Sequence, residues 1–422
     1  MDGILFWIWL NLCCTPGSGT FDLLLRAFSS PYEIYEADEA RLREALARYD
    51  RDLPRLMNKD VEPAKRILTF CNVRDVSLIP YDDPRYPTAL RSIPSPPVLL
   101  YCRGMLPQLN GRLSVAIVGT RKMSDYGKRM TFEVARDLAR AGAVVISGMA
   151  LGIDGVANAA AINGGGETVA VLGSGIDVIY PPAHAKLAEF ITRHGAVITE
   201  YPPGTRPEGK NFPIRNRIIS GLAQATAVIE GDLRSGSLIT ARRALQQDRV
   251  VYAMPGRVDE AGSEGPCMLL RNGAKVLIAA DDILSDFEKV YSDKINIFKL
   301  LERSPVVIDK VLRSMNVYAK SERKPRPAEA STSRGAEPTE APPAPPPVSP
   351  EEEARIGRLL AEIGGRAEEL YRLLPPRDGI SCDDVAEEGI PISEVMVLAA
   401  QMELYGLLEI LPGGQMKRKK PQ

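Results

Sequence analysis

The run KNFPIRNR (210–217) holds the densest set of groups able to grip a phosphate in this 422-residue chain. Guanidinium groups form forked, charge-assisted hydrogen bonds to phosphate, and a planar phenylalanine beside them can stack on an unpaired base. Lys210, Phe212, Arg215, Asn216 and Arg217 are therefore the first candidates. Around them, residues 201–257 contain nine basic side chains (Arg206, Lys210, Arg215, Arg217, Arg234, Arg242, Arg243, Arg249, Arg257) against four acidic ones (Glu208, Glu230, Asp232, Asp248), a local excess of +5. The whole chain has a formal net charge of −1, so any anion site has to be local. The same residues also admit a structural role, with Arg215 and Arg217 paired to carboxylates such as Glu200 and Glu230 and Phe212 in the core.

Glycines and small hydroxyls form a second group: Gly119-Thr120-Arg121, Ser147-Gly148, Gly173-Ser174-Gly175 and Ser235-Gly236-Ser237. Each reads equally well alone as a tight strand-to-helix turn, but four together suit a phosphate-binding edge. They do not spell a known nucleotide motif. GTRKMSDYG (119–127) lacks the G-x-G-x-x-G of dinucleotide sites, and Gly204 to Lys210 matches a Walker A loop only until Asn211 takes the hydroxyl position. With only His184 and His194, a His-rich zinc site is excluded and a Ser-His-Asp triad has two histidines to choose from. No cofactor and no metal are expected. The six cysteines show no C-x-x-C pair and read as free thiols in a reducing cytoplasm.

Those groups need a scaffold that brings several loops to one edge. Apolar, β-branched runs at 115–119, 143–147, 168–173, 196–200, 226–230 and 250–253 alternate with helical patterns at 127–141, 152–162, 183–194, 214–224 and 237–248. That alternation predicts an α/β domain, a doubly wound parallel sheet covered on both faces, with ligands outside the carboxyl ends of the strands. Before it, residues 1–75 read as a small helical domain. Its apolar opening, Ile4 to Leu10, is too short to span a bilayer and lacks the basic start of a signal peptide, so a buried first helix and no membrane partner are expected. The Pro-rich 80–104 stretch reads as an irregular strap. Residues 76–287 make the central domain, and 288–350 an extension ending in a Pro-rich disordered tether. Residues 351–422 read as a winged-helix-like domain, but its second helix (392–404) has no Lys or Arg and the segment carries fourteen acidic against nine basic residues. Such a surface repels a phosphate backbone, so a protein partner is expected for it.

The segments YDDPRYPTALRSIPSPPVLLYCRG (81–104), AIVGTRKMSDYG (116–127), SGMALGID (147–154), AVLGSGIDVIYPP (170–182), TEYPPGTRPEGKNFPIRNRIISGL (199–222), SGSLITARRAL (235–245), YAMPG (252–256) and NGAKVLI (272–278) together resemble the DNA-processing protein A family (DprA, also called Smf). The resemblance implies an extended Rossmann-like domain, preceded by a helix-hairpin-helix or SAM-like module, that binds single-stranded DNA without catalysis. It also implies a homodimer that loads the RecA recombinase during natural transformation. By motif, Arg121, Lys210, Phe212, Arg215, Asn216, Arg217, Ser235 and Ser237 would line the DNA groove, with Thr120, Ser147, Gly148 and Gly236 from the adjoining turns. Asn158, His184, Cys267 and Thr120 depart from the family's usual residues and leave the arginine set intact. The competing reading is a nucleotide-binding enzyme similar to phosphoribohydrolases on the same fold. Those share a P-G-G-x-G-T-x-x-E loop, and here Arg242 or Arg243 falls near the position of its glutamate.

Overall fold

Side chains alternate between the two faces of a strand, and here the central strands split their apolar residues between two cores. In the computed structural model, Val115 and Ile117 enter one cluster while Ala116 and Val118 enter the other. The structure describes residues 2–317 except 48 and 301–305, then 350–364, 366–375, 380, 385, 390, 394–395, 398–399, 402, 407–411 and 415–418. Two compact units divide at residue 324, and each is described by itself.

The first unit is built on a sheet of β1 (Ser77–Pro80), β2 (Leu99–Gly104), β3 (Ser114–Val118), β4 (Val144–Ser147), β5 (Thr168–Val171), β6 (Gly195–Thr199), β7 (Ala225–Val228), β8 (Val250–Ala253) and β9 (Lys275–Val276). Its order is β1-β2-β6-β5-β4-β3-β7-β8-β9, with β6 through β9 mutually parallel and β1 and β2 antiparallel. The helices Asp125–Arg140, Ile153–Asn163 and Ala185–Arg193 pack on one face, Asn211–Leu222 and Gly236–Gln246 on the other. The expected Rossmann-like α/β sheet is thus present, and its strands and helices start within a few residues of the expected positions.

The segment 80–104 departs from expectation. It is not an irregular strap, because its ends form β1 and β2, paired from Ser77 with Cys102 to Pro80 with Leu99. The prolines flank the strands instead of interrupting them, and Pro80 sits on an edge strand where a missing donor costs little. The opening helix, Asp2–Cys13, is apolar nearly all round, as a helix buried on several sides must be. Trp7, Ile8, Trp9 and Leu10 are buried, and they share one apolar cluster with the sheet. Asn11 ties this helix down, its Nδ2 donating to Glu200 O at 3.2 Å while its Oδ1 accepts from Tyr101 Oη at 3.0 Å.

In the second unit, helices Pro350–Ile363 and Ala367–Leu373 and an antiparallel hairpin, Leu408–Leu411 with Gln415–Arg418, are described. A terminal hairpin is thus present. Most of the expected second helix, 392–404, and the Pro-rich segment 321–349 lie outside the described residues.

Candidate nucleic-acid interface

The connections from β3 to β6 run one way along the sheet, and β7 returns to the other side of β3. At such a switch point the loops after neighbouring strands part and leave a crevice. The loops after β3 and β7 do so here, opening a cleft of about 660 Å³ floored by the first turns of the helix Asn211–Leu222.

Thr120, Arg121 and Lys122 form one wall, held by Thr120 N donating to Glu230 O at 2.8 Å. Gly152 is required behind them, because a Cβ there would lie 2.3 Å from Thr120 O. The opposite wall is Ser235, Gly236 and Ser237 at the start of an 11-residue helix. Ser235 Oγ accepts from Ser237 N at 3.3 Å and contacts Ser237 Oγ at 2.8 Å, while Gly236 is exposed and borders the cleft. Backbone amides at a helix start favour a negative ligand.

On the floor, Phe212 is flanked by the Arg121 guanidinium 5.5 Å from its ring centre, that of Arg215 at 5.7 Å and the Tyr180 ring at 5.6 Å. Phe212, Arg215 and Asn216 reach the cleft together because positions i, i+3 and i+4 share one helix face. Arg215 is buried, and its Nη1 donates to Gly148 O at 2.9 Å and to Val171 O. Burial lowers its guanidinium to about 10, with Asp154 the main opposing influence, so it remains a cation at neutral pH. Burial in turn lifts the Asp154 carboxyl above the ordinary range, against the pull of Arg215 and of the N–H groups of Ala150 and Gly148. Asn216 Nδ2 donates to Gly236 O at 3.3 Å, tying floor to wall.

Four of the residues expected in the groove stand elsewhere. Ser147 is fully buried, its Oγ donating to Ile117 O at 2.6 Å, so it laces β4 to β3. Gly148 supports Arg215 from behind, and a Cβ there would lie 2.3 Å from Arg215 Nη1. Lys210 is exposed and paired with Glu208 at 2.7 Å. Arg217 faces away, its Nη2 donating to Glu200 Oε2 at 2.6 Å in a buried ion pair. For Arg217 the structural role holds, whereas Glu230 is engaged by Ser124 at the start of the helix Asp125–Arg140.

Sequence reasoning left out Tyr180, Lys122 and Asp154, which also line the cleft. Their signal was position, each lying four to nine residues past the carboxyl end of a parallel strand. Of the cleft's two carboxylates, Asp154 accepts from Gly148 N at 3.2 Å, and Asp232 Oδ1 accepts from Arg234 N at 2.8 Å. His184 is buried, with Nδ1 2.9 Å from Met149 O and Nε2 3.0 Å from Val317 O, so neither nitrogen is open to a nucleophile. Cys13, Cys14, Cys71, Cys102 and Cys267 are free thiols, as expected. Among the described residues, no cluster of His, Cys, Asp or Glu suits a metal ion and no helix is long and apolar enough to cross a membrane.

Comparison with known proteins gives this geometry a family. The DNA processing protein DprA of Bacillus subtilis is 39% identical over 221 residues, 52% of this chain and 74% of the relative. A Protein Smf of Synechocystis is 33% identical over 341 residues, 80% of this chain and 79% of the relative. The X-ray structure of DNA processing protein A from Streptococcus pneumoniae aligns with a TM-score of 0.58 at 32% identity, covering 66% of this chain and 96% of that one. The family model for DNA recombination-mediator protein A matches residues 77–288, half of the sequence and all of the cleft, and the chain belongs to that family.

Proposed function

We propose that this protein binds single-stranded DNA in the cleft between the loops after β3 and β7, with little sequence preference and without turning it over. The observation that carries this reading is the aromatic floor: Phe212 lies between two guanidinium groups, Arg121 and Arg215, on the rim of the sheet. A ring offers stacking to any base, and cations beside it offer ionic contacts to any phosphate, so neither selects a sequence. Arg121 is exposed and free to follow a backbone, while Arg215 is fixed from behind. A phosphoribohydrolase would need a carboxylate placed to act on a glycosidic bond; of the cleft's two, Asp154 is buried and accepts from Gly148 N, and Asp232 accepts from Arg234 N in a local turn.

Within this reading the protein acts in the cytoplasm as a homodimer that delivers the RecA recombinase to the bound strand, in keeping with a family described as recombination mediators. Residues 1–75 serve as the helical module, 76–287 as the DNA-binding domain, 288–350 as the extension and tether, and 351–422 as a winged-helix-like unit that binds a protein partner.

The test is a salt-titrated binding measurement on oligo-dT, duplex and a nucleoside monophosphate. Oligo-dT is expected to bind best, with affinity falling steeply as salt rises through counterion release. Arg121→Ala should weaken it by about 1–3 kcal/mol, the worth of one charge-assisted or stacking contact. Indifference to oligo-dT at low ionic strength, or release of base from the monophosphate, would overturn the proposal.

A further inference from the structure

The carboxyl rim of the sheet continues past the cleft. Beyond the loop that carries Tyr180 comes the loop after β6, and next to that lies the helix Glu62–Val73. Residues 63, 66, 67 and 70 of this helix follow i, i+3, i+4, i+7 spacing and therefore share one face. That face, with Asp177, Pro203 and Gly204, borders a shallow, open hollow of about 400 Å³. One loop borders both sites, with Pro207 and Gly209 on the cleft and Pro203 and Gly204 on the hollow. Exposed Arg206 stands between them. Adjacent strands lie about 4.8 Å apart, so the three spacings from β3 to β6 span roughly 14 Å, about four stacked bases at 3.4 Å each.

Like the cleft floor, the hollow is lined by a phenylalanine and an arginine. Phe70 is half-buried, and Arg66 is exposed one turn before it. The nearby Asp177 carboxylate is engaged by Gly204 N at 2.8 Å. We infer that the hollow is a second subsite for the same unpaired polynucleotide, with Phe70 stacking on a base and Arg66 pairing with a phosphate. The helical module then takes part in binding. This inference rests on the single-strand reading of the cleft and commits to one occupant through the shared loop and the cations along it.

The experiment compares the full chain's affinity for oligo-dT of about 6 and about 20 nucleotides, lengths bracketing a one-site and a two-site footprint. Wild type should bind the longer strand more tightly. Arg66→Glu and Phe70→Ala should each weaken binding of the longer strand by about tenfold and leave the shorter one unchanged. Should Phe70→Ala disturb the helical module, seen as a changed circular dichroism spectrum, the exposed Arg66→Glu decides alone. Equal wild-type affinity for both lengths, equal loss on both, or no loss on the longer strand overturns the second subsite and leaves the cleft standing. Failure of wild type to bind either strand removes the cleft reading and the subsite with it.

Discussion

Arg215 and Arg217 stand two positions apart on one helix, and that spacing separates their work. At about 100° per residue they point roughly 200° apart, so a helix that turns Arg215 to the cleft must turn Arg217 away from it. The motif named both as groove residues, and the helical period would have divided them. On its own side Arg217 meets Glu200, and both are buried, with Arg217 Nε and Nη1 and Glu200 Oε1 lacking partners. The two halves of this pair are unequal. Burial already raises the Glu200 carboxyl, so when Arg217 is lost the acid can neutralise itself, whereas an arginine left alone stays charged. Glu200→Gln is therefore expected to destabilise the protein by about 3–5 kcal/mol and Arg217→Gln by distinctly less. Urea unfolding of the two variants checks this, and equal losses would count against the asymmetry. Oligo-dT affinity of either folded variant should match wild type, because neither group borders the cleft.

Elements were legible where a single period governed them. The parallel strands announced themselves as short apolar runs because both faces of the sheet are covered. β1 and β2 were hidden by neighbouring prolines, although the run Val98 to Cys102 is as apolar as any central strand. The docking of the opening helix on the sheet was invisible because it depends on polar contacts distant in sequence. The contacts of Asn11 with Tyr101 and Glu200 are of this kind, and within the helical module so is the knot at Asp52, whose buried carboxylate accepts from Thr15 N at 2.8 Å, Thr15 Oγ at 2.7 Å and Thr20 Oγ at 2.7 Å, and pairs with Arg55. Burial alone would raise this acid, but the hydrogen bonds from Thr15 and Thr20 and the Arg55 charge outweigh burial and hold it below its ordinary value. A carboxyl depressed in the native state adds stability that is complete above its unfolded value of about 3.9 and fades as the pH falls below it. Asp52→Asn should therefore weaken the helical module by about 1–3 kcal/mol near neutrality, and the gap from wild type should close below about pH 4. Trp7 and Trp9 are the chain's two tryptophans and both sit on the opening helix, so their fluorescence reports this module during denaturant titration. A gap that stays constant into acid would assign the knot's stabilisation to something other than the ionised carboxylate.

At the scale of the molecule, charge and compactness divide along the same line. The chain is nearly neutral, yet residues 201–257 carry +5 while 351–422 carry nine basic against fourteen acidic residues, −5. The basic segment belongs to the compact unit 1–324, the acidic one to 325–422. Phosphate binding draws on local cations and is opposed by nearby anions, so the acidic unit offers a DNA strand little beyond the short basic run Lys417 to Lys420. A chain ending at residue 324 keeps the sheet, the cleft and the helical module in one unit, and it is expected to bind oligo-dT within about threefold of the full chain at any one salt concentration. The slope of log affinity against log salt should also be unchanged, because that slope counts displaced counterions and the same cations remain. A loss of about tenfold or more with a shallower slope would place phosphate contacts in the acidic unit, after all, and would move the basic tail from bystander to ligand.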